Sequence, residues 1–328
     1  MRNYIIKRIL ISVMILIFVT LVIYGLVRAM PGSYVETMAI QLSSAPGAKP
    51  YEEWLAQLEA AYGLDKPFVI GWATWLKEFF TGNFGDSWKF TVPVVEKFKE
   101  VIGVSFVMGV LQLVLELVIA VPLGIIAATK QYSRLDYGIS AGALVGISLP
   151  TFFFASVLKL IFAVKLGWFD THGLVGREFM ALSPIGQVGD MAMHLVLPMV
   201  TLVIVSIGGL MRFTRTNMLE VMNADYVRTA RAKGLSEKEV VYHHAFRNTL
   251  VPLVTMVGGS LPSLFSGALI TETLFSIPGI GFTSYQAMVA GDIPFTMFYL
   301  TFMAILTLVG NLIADILYAV VDPRVRLA

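Results

Sequence analysis

The stretch Arg212–Leu250 reads RFTRTNMLEVMNADYVRTARAKGLSEKEVVYHHAFRNTL and lies between two apolar runs, Met193–Met211 and Leu253–Phe275. With seven Lys or Arg residues it is too polar to lie in lipid, yet its order is not that of a linker. Asn223 or Asp225 can cap a short helix through Tyr226 to Lys233, because a short polar side chain satisfies the free N–H groups of a first turn. Gly234 falls where a helix ends in a left-handed residue. Ser236 followed by Glu239 has the spacing of a capping box. The expectation is helix, tight turn, helix, set between two membrane spans.

Working outward, the whole chain has the composition of a membrane protein. Of its 328 residues 57% are hydrophobic and 14% charged, against about 25% charged in soluble domains; mean hydropathy is +0.77. Six apolar runs have roughly the 17–25 residues that cross a bilayer, or slightly more: Ile9–Val27, Val101–Ala128, Tyr137–Val164, Met193–Met211, Leu253–Phe275 and Phe298–Val320. The first follows Arg2, Lys7 and Arg8 as a signal peptide would, but it is longer than a signal core and no A-x-A site follows, so it reads as a retained span. Net charge is +2, which implies no nucleic acid partner. No cysteine is present, which excludes disulfides and thiolate sites.

Lys and Arg in the short connections set the orientation. With the N-terminus inside, the inner stretches hold Arg2, Lys7 and Arg8, then Lys130 and Arg134, then the seven of Arg212–Leu250, then Arg324 and Arg326. The connection Ser276–Met297 has none, and Lys165–Ala192 has only Lys165 and Arg177. Six spans with both ends inside fit this bias. The sequence divides into a first span (1–28), an outer segment (29–98), a five-span domain (99–322) carrying the polar loop 212–250, and an inner tail (323–328).

All five tryptophans, Trp54, Trp72, Trp75, Trp88 and Trp168, fall in outer regions, as residues with an apolar ring and one polar N–H favour. Trp54, Leu55, Leu58, Ala61 and Tyr62 recur at helical spacing, as do Trp72, Trp75, Leu76 and Phe79. They predict two short amphipathic helices on the outer surface, serving as interfacial anchors or as a docking platform. Pro122, Pro150, Pro198 and Pro262 lie in or beside spans, where each removes a hydrogen bond and favours a kink.

Three ionisable residues fall within spans: Glu116, Lys159 and Glu272. Such groups are costly in lipid and face a cavity or a partner. Lys159 can snorkel outward. Glu116 is a candidate for lining a pathway or bonding a partner subunit, with a structural contact or a neutral carboxyl as the other readings. His172, His194, His243 and His244 form no metal-ligand pattern. No catalytic set converges, and no G-x-x-x-x-G-K-[ST] phosphate loop occurs, so the chain reads as neither an enzyme nor an ATPase. Asn311 and Asp315 share a helix face and read as a structural anchor with Asp322–Pro323–Arg324.

The string DYVRTARAKGL, Asp225–Leu235, resembles the cytoplasmic "EAA" loop of ABC importer permeases, in the version of the oligopeptide/dipeptide (nickel) permease family. The EAA positions hold Arg228, Thr229 and Ala230. Met30–Pro31–Gly32, Gly63–Pro67, Gly82–Ser87, Val121–Ala128, Ser148–Phe152, Leu166–Trp168, His194–Pro198, Thr271–Gly281 (TETLFSIPGIG), Asp292–Pro294 and Asn311–Arg326 are similar to the same family. The resemblance implies an all-α, six-span, type I importer permease in a prokaryotic cytoplasmic membrane. It would pair with a second, related permease, two ATP-binding subunits and an extracellular or periplasmic solute-binding protein, and would pass peptide by alternating access without a cofactor. Asp225, Tyr226, Arg228, Thr229, Ala230, Arg231, Lys233 and Gly234 would then form the ATPase-coupling loop, with Ala230 and Gly234 as a small-residue face. Glu272, in the family's E-T-x-F stretch, would belong to an outer gate or to an interhelical bond. A nickel or other-solute importer of the family, and an ion-coupled secondary transporter, are the alternatives.

Overall fold

The computed structural model describes residues 2–29, 34–45, 47–61, 63–260 and 262–321. Met30–Pro31–Gly32, Tyr62, Asp322–Pro323–Arg324, Arg326 and the expected tail 323–328 lie outside the described residues.

Nearly all of the described chain is helical. The first part holds α1 (Arg2–Ala29), α2 (Tyr34–Ser43), α3 (Tyr51–Ala61), α4 (Phe68–Thr81) and α5 (Val94–Thr129). Next come α6 (Arg134–Ser148), α7 (Thr151–Leu158) with a π-helical continuation to Lys165, and α8 (Pro184–Met222). Then α9 (Asp225–Ala232) and α10 (Glu237–Glu239) lead through a π-helical stretch, Val240–Phe246, into α11 (Arg247–Gly259). The last are α12 (Ser263–Ser266), α13 (Leu269–Phe275), α14 (Ile280–Val289) and α15 (Ile293–Val321). Among the described residues five segments are long and apolar enough to cross a membrane, and the pair α6–α7 makes a sixth if counted as one span.

Three spans differ from the sequence expectation, Leu253–Phe275 being interrupted at Gly267 and Ala268 between α12 and α13. Tyr137–Val164 is bent by 101° between α6 and α7. The break is at Leu149, which is extended (φ −79°, ψ 126°) ahead of Pro150, as the clash with a following proline ring requires. Pro122 and Pro198, by contrast, lie inside continuous helices. Thirdly, α8 runs 39 residues, Pro184–Met222, about 58 Å at 1.5 Å per residue, or roughly twice the hydrocarbon thickness. Residues 212–222, expected as the start of a loop, therefore continue the helix.

The chain forms two compact units, divided within α5 and within α14. One takes in the residues up to 102 with 283–319. Its core joins Ile23, Tyr24 and Val27 of α1, Val35 of α2, Trp75 of α4, and Ile293 and Met297 of α15, with Trp72 and Trp88 packed against it. Helices α3 and α4 cover the two stretches read as amphipathic, with α2 in addition. Trp72, Trp75 and Trp88 pack inward, whereas Trp168, in the other unit, is exposed. The Tyr24 hydroxyl donates to the Gly63 carbonyl at 2.9 Å. Gly71 sits against both: a Cβ there would lie 2.2 Å from the Tyr24 hydroxyl and 2.3 Å from the Gly63 oxygen. The buried Asp292 carboxylate accepts from the Ser87 hydroxyl, from the Lys89 N–H (3.2 Å) and from the Phe295 N–H (3.1 Å), which caps α15. Arg8 pairs with Asp315 at 3.1 Å, giving the expected anchor a partner.

The other unit takes in residues 103–282. Helices α6 and α8 cross where small residues let backbones meet: a Cβ on Gly208 would lie 2.5 Å from the Ala143 oxygen. The start of α6 and the last turns of α8 are clamped by Arg215, whose Nε and Nη2 donate to the two Asp136 oxygens at 2.7 and 2.8 Å. Asp136 also accepts from the Tyr132 N–H at 3.0 Å. The Lys159 Nζ donates at 2.6 Å to the Leu274 carbonyl in the last turn of α13, where a cation complements the helix dipole.

Gly71→Ala is expected to destabilise the purified protein by about 1–3 kcal/mol through overpacking. Gly103→Ala, with open space around it, is expected to leave thermal unfolding in detergent unchanged.

Candidate functional site

The polar loop has the expected helix, turn, helix order. Its N-terminal cap differs: the capping position is Ala224, with no side-chain bond. Asp225 is the first helical residue, its charge near the positive end of the dipole, and Asn223 donates back to the Leu219 carbonyl of α8 at 2.9 Å. Gly234 follows the helix at φ +77°, a conformation that costs a side-chain-bearing residue. The Ser236–Glu239 capping box is present in full. Arg231 Nε donates to Glu237 at 2.8 Å across the turn, joining the two arms.

One face of α9 is committed to its own chain. Val227 and Ala230 are buried with Ile125 and Ala128 of α5, Met218 of α8, and Val240, Val241 and Ala245. The expected small-residue face is thereby corrected: Gly234 is open, but Ala230 is only 5% exposed and seats the elbow. Asp225, Tyr226, Arg228, Thr229, Arg231 and Lys233 are exposed. The elbow is therefore packed on α5 and α8, with Tyr226, Arg228, Arg231 and Lys233 on its exposed side.

Glu116 and Glu272 are in different settings. Glu116 is half-buried and lines a cavity of about 290 Å³, with the Ser206 hydroxyl beside it. Glu272 is fully buried. Its carboxylate accepts from the Ser105 hydroxyl at 2.7 Å, the Ala268 N–H at 3.0 Å and the Phe282 N–H at 2.9 Å. Ser105 in turn accepts from the Ile280 N–H at 2.7 Å. A Cβ on Gly279 would lie 2.5 Å from the Glu272 carboxyl, which is why the stretch after the glutamate needs glycine there. The carboxylate fastens the turn that follows α13 to α5. The other residue pairs that sequence reasoning missed are Asp136–Arg215 and Ser87–Asp292. Motif spelling alone placed Gly82–Ser87 and Asp292–Pro294, without saying that they touch.

Comparison with known proteins agrees with this architecture. Residues 120–327 match the family described as binding-protein-dependent transport system inner membrane component, and residues 1–115 match its N-terminal companion. The chain belongs to this family. Among relatives, the oligopeptide transport system permease protein AppB of Bacillus subtilis (strain 168) is 35% identical over 99% of this chain and 100% of that protein. The dipeptide transport system permease protein DppB of Escherichia coli (strain K12) is 32% identical over 99% of each. A chain of the MetNI methionine ABC transporter, solved in inward-facing conformations, superposes with a TM-score of 0.55 at 16% identity, covering 70% of this chain and 98% of that one. This last likeness is one of fold, that of a type I importer permease. The permease is thus a multi-pass membrane subunit of a binding-protein-dependent importer.

Two outcomes are expected for the permease. Glu272→Gln leaves one acceptor oxygen for three donors and turns an amide N–H toward a backbone N–H. It should cost about 1–3 kcal/mol or more, read as a fall in unfolding temperature together with transport; normal stability with transport alone abolished would indicate a gate instead. The second concerns Glu239. The Ser236 hydroxyl, and then its backbone N–H, hold this carboxyl below its ordinary value. A depressed folded value means that the cap's contribution is complete above the unfolded carboxylate range and is lost as pH falls through the folded value. Amide-exchange protection at Ser236, whose N–H donates to this carboxylate, should hold from pH 8 to about 5 and fall away below about pH 4.

Proposed function

We propose that this chain forms one half of the channel of an ATP-driven peptide importer in a prokaryotic cytoplasmic membrane. The carrying observation is the elbow: a polar helix–turn–helix between two segments apolar and long enough to span a membrane, seated on its own apolar core and presenting Tyr226, Arg228 and Lys233 outward. Such a part transmits force only if a separate protein pushes on it. The charge bias of the loops supports six spans with both ends in the cytoplasm. A second, related permease supplies the other half of the channel. Two ATP-binding subunits, each receiving one elbow, supply the energy, and an extracellular or periplasmic binding protein delivers the substrate. ATP-driven closure of those subunits moves the elbows and the helices packed against them, so that access alternates between the two sides. Peptide as the cargo is supported by the relatives AppB and DppB, oligopeptide and dipeptide transport system permease proteins.

Arg228→Glu and Lys233→Glu both alter the exposed face and leave Val227, Ala230 and the Gly234 turn in place, whereas Ala230→Glu would unseat the elbow itself. Each is expected to lower co-purification of the ATP-binding subunits by about tenfold or more, a loss typical of a disrupted interface anchor, and to abolish uptake of labelled peptide driven by the cognate binding protein. Full recovery of the ATPase with normal uptake in both surface variants would refute the coupling assignment; uptake of nickel and not peptide would refute the cargo.

A further inference from the structure

The cavity beside Glu116 has a chemistry that the fold alone does not require. Its volume, about 290 Å³, is at the lower bound of small-molecule sites, roughly 300 Å³. Its polar lining includes Gln112, Glu116, Ser260, Ser263 and Ser266. Among the described residues around it, Glu116 is the one ionisable group; no Lys, Arg or His lines it.

The backbone is interrupted at the same place. Gly267 and Ala268, between α12 and α13, are non-helical and belong to the cavity wall. Interrupted backbone at membrane depth is tolerated where it is covered by protein or lines a cavity, and this break lines the cavity. A carboxylate, an amide and three serine hydroxyls therefore line one cavity without a countercharge. A divalent metal calls for six or more oxygen ligands, several of them carboxylates, whereas an ammonium group offers three N–H donors and one charge, which one carboxylate and two neutral acceptors satisfy.

We propose that this cavity is a transit site for a primary ammonium group, with Glu116 as its countercharge. Resting on the peptide-import reading, the group is the amino terminus of the passing peptide. Gln112 and the serines of the broken span supply neutral acceptors, and the apolar remainder of the wall accommodates side chains without selecting among them.

The chain has no cysteine, so Ser263→Cys adds its sole thiol to a cavity wall. In the assembled, detergent-solubilised transporter, its modification by 2-aminoethyl methanethiosulfonate and by 2-sulfonatoethyl methanethiosulfonate is followed by the mass of this chain. The rates are normalised to those at Met180→Cys, a position 89% exposed. The cationic reagent is expected to be favoured by about tenfold or more, a conservative effect for an opposite charge within a few ångströms. The preference should fall to within about twofold when Glu116→Gln is added. Equal normalised rates with Glu116 intact, a preference unchanged by Glu116→Gln, or no reaction at Ser263→Cys while Met180→Cys reacts would each overturn the site. Peptide uptake by the same preparation in liposomes separates the two readings. Uptake without charge preference refutes the ammonium site alone. Charge preference without uptake of any peptide refutes the peptide reading, and with it the amino terminus as the ligand.

Discussion

Val227 and Ala230 stand three residues apart on α9, and both are buried against α5, α8 and the stretch that leads into α11. A buried valine contributes about 1.5–3 kcal/mol, enough to hold a short helix that by itself would be marginal in water. This contact decides what the polar loop is. Without it the segment would be a charged tether between spans; with it, α9 packs directly against α5 and α8. The bidentate Asp136–Arg215 pair also ties α8 to the start of α6.

The buried carboxylates divide by how fully they are satisfied. Asp292 and Glu272 each accept three hydrogen bonds, including backbone N–H groups. Removing either would orphan several donors at once, and each pins a loop to a helix. Glu116 faces open space instead. A charge-bearing group left toward a cavity in an apolar span is expensive, and recognition of a cation is a use that offsets the cost.

What the sequence made legible was what depends on near neighbours along the chain. The spans follow from runs of apolar residues, the turn from Gly234, and the second loop helix from Ser236 and Glu239 three residues apart. Ser87 and Asp292 are separated by 205 residues, and Asp136 and Arg215 by 79; no local rule pairs them. Ala230 looked available because small residues suit a docking face, but the same size suits close seating on one's own core. The bend at Pro150 was foreseeable as a kink and not as a 101° turn, since Pro122 and Pro198 carry the same local signal and stay helical. The extension of α8 through residues 212–222 was hidden because hydropathy marks where a helix leaves lipid, not where it ends.

The most direct test of the whole account is the side of the membrane on which the elbow lies. Lys233 and Gln57 are both exposed. Lys233→Cys and Gln57→Cys, each the single thiol of an otherwise cysteine-free chain, can be probed with a membrane-impermeant maleimide in intact cells and in inside-out vesicles. The account predicts that Lys233→Cys reacts only in the vesicles and is protected there by bound ATP-binding subunits, while Gln57→Cys reacts only from outside. Labelling of Lys233→Cys in intact cells would contradict it.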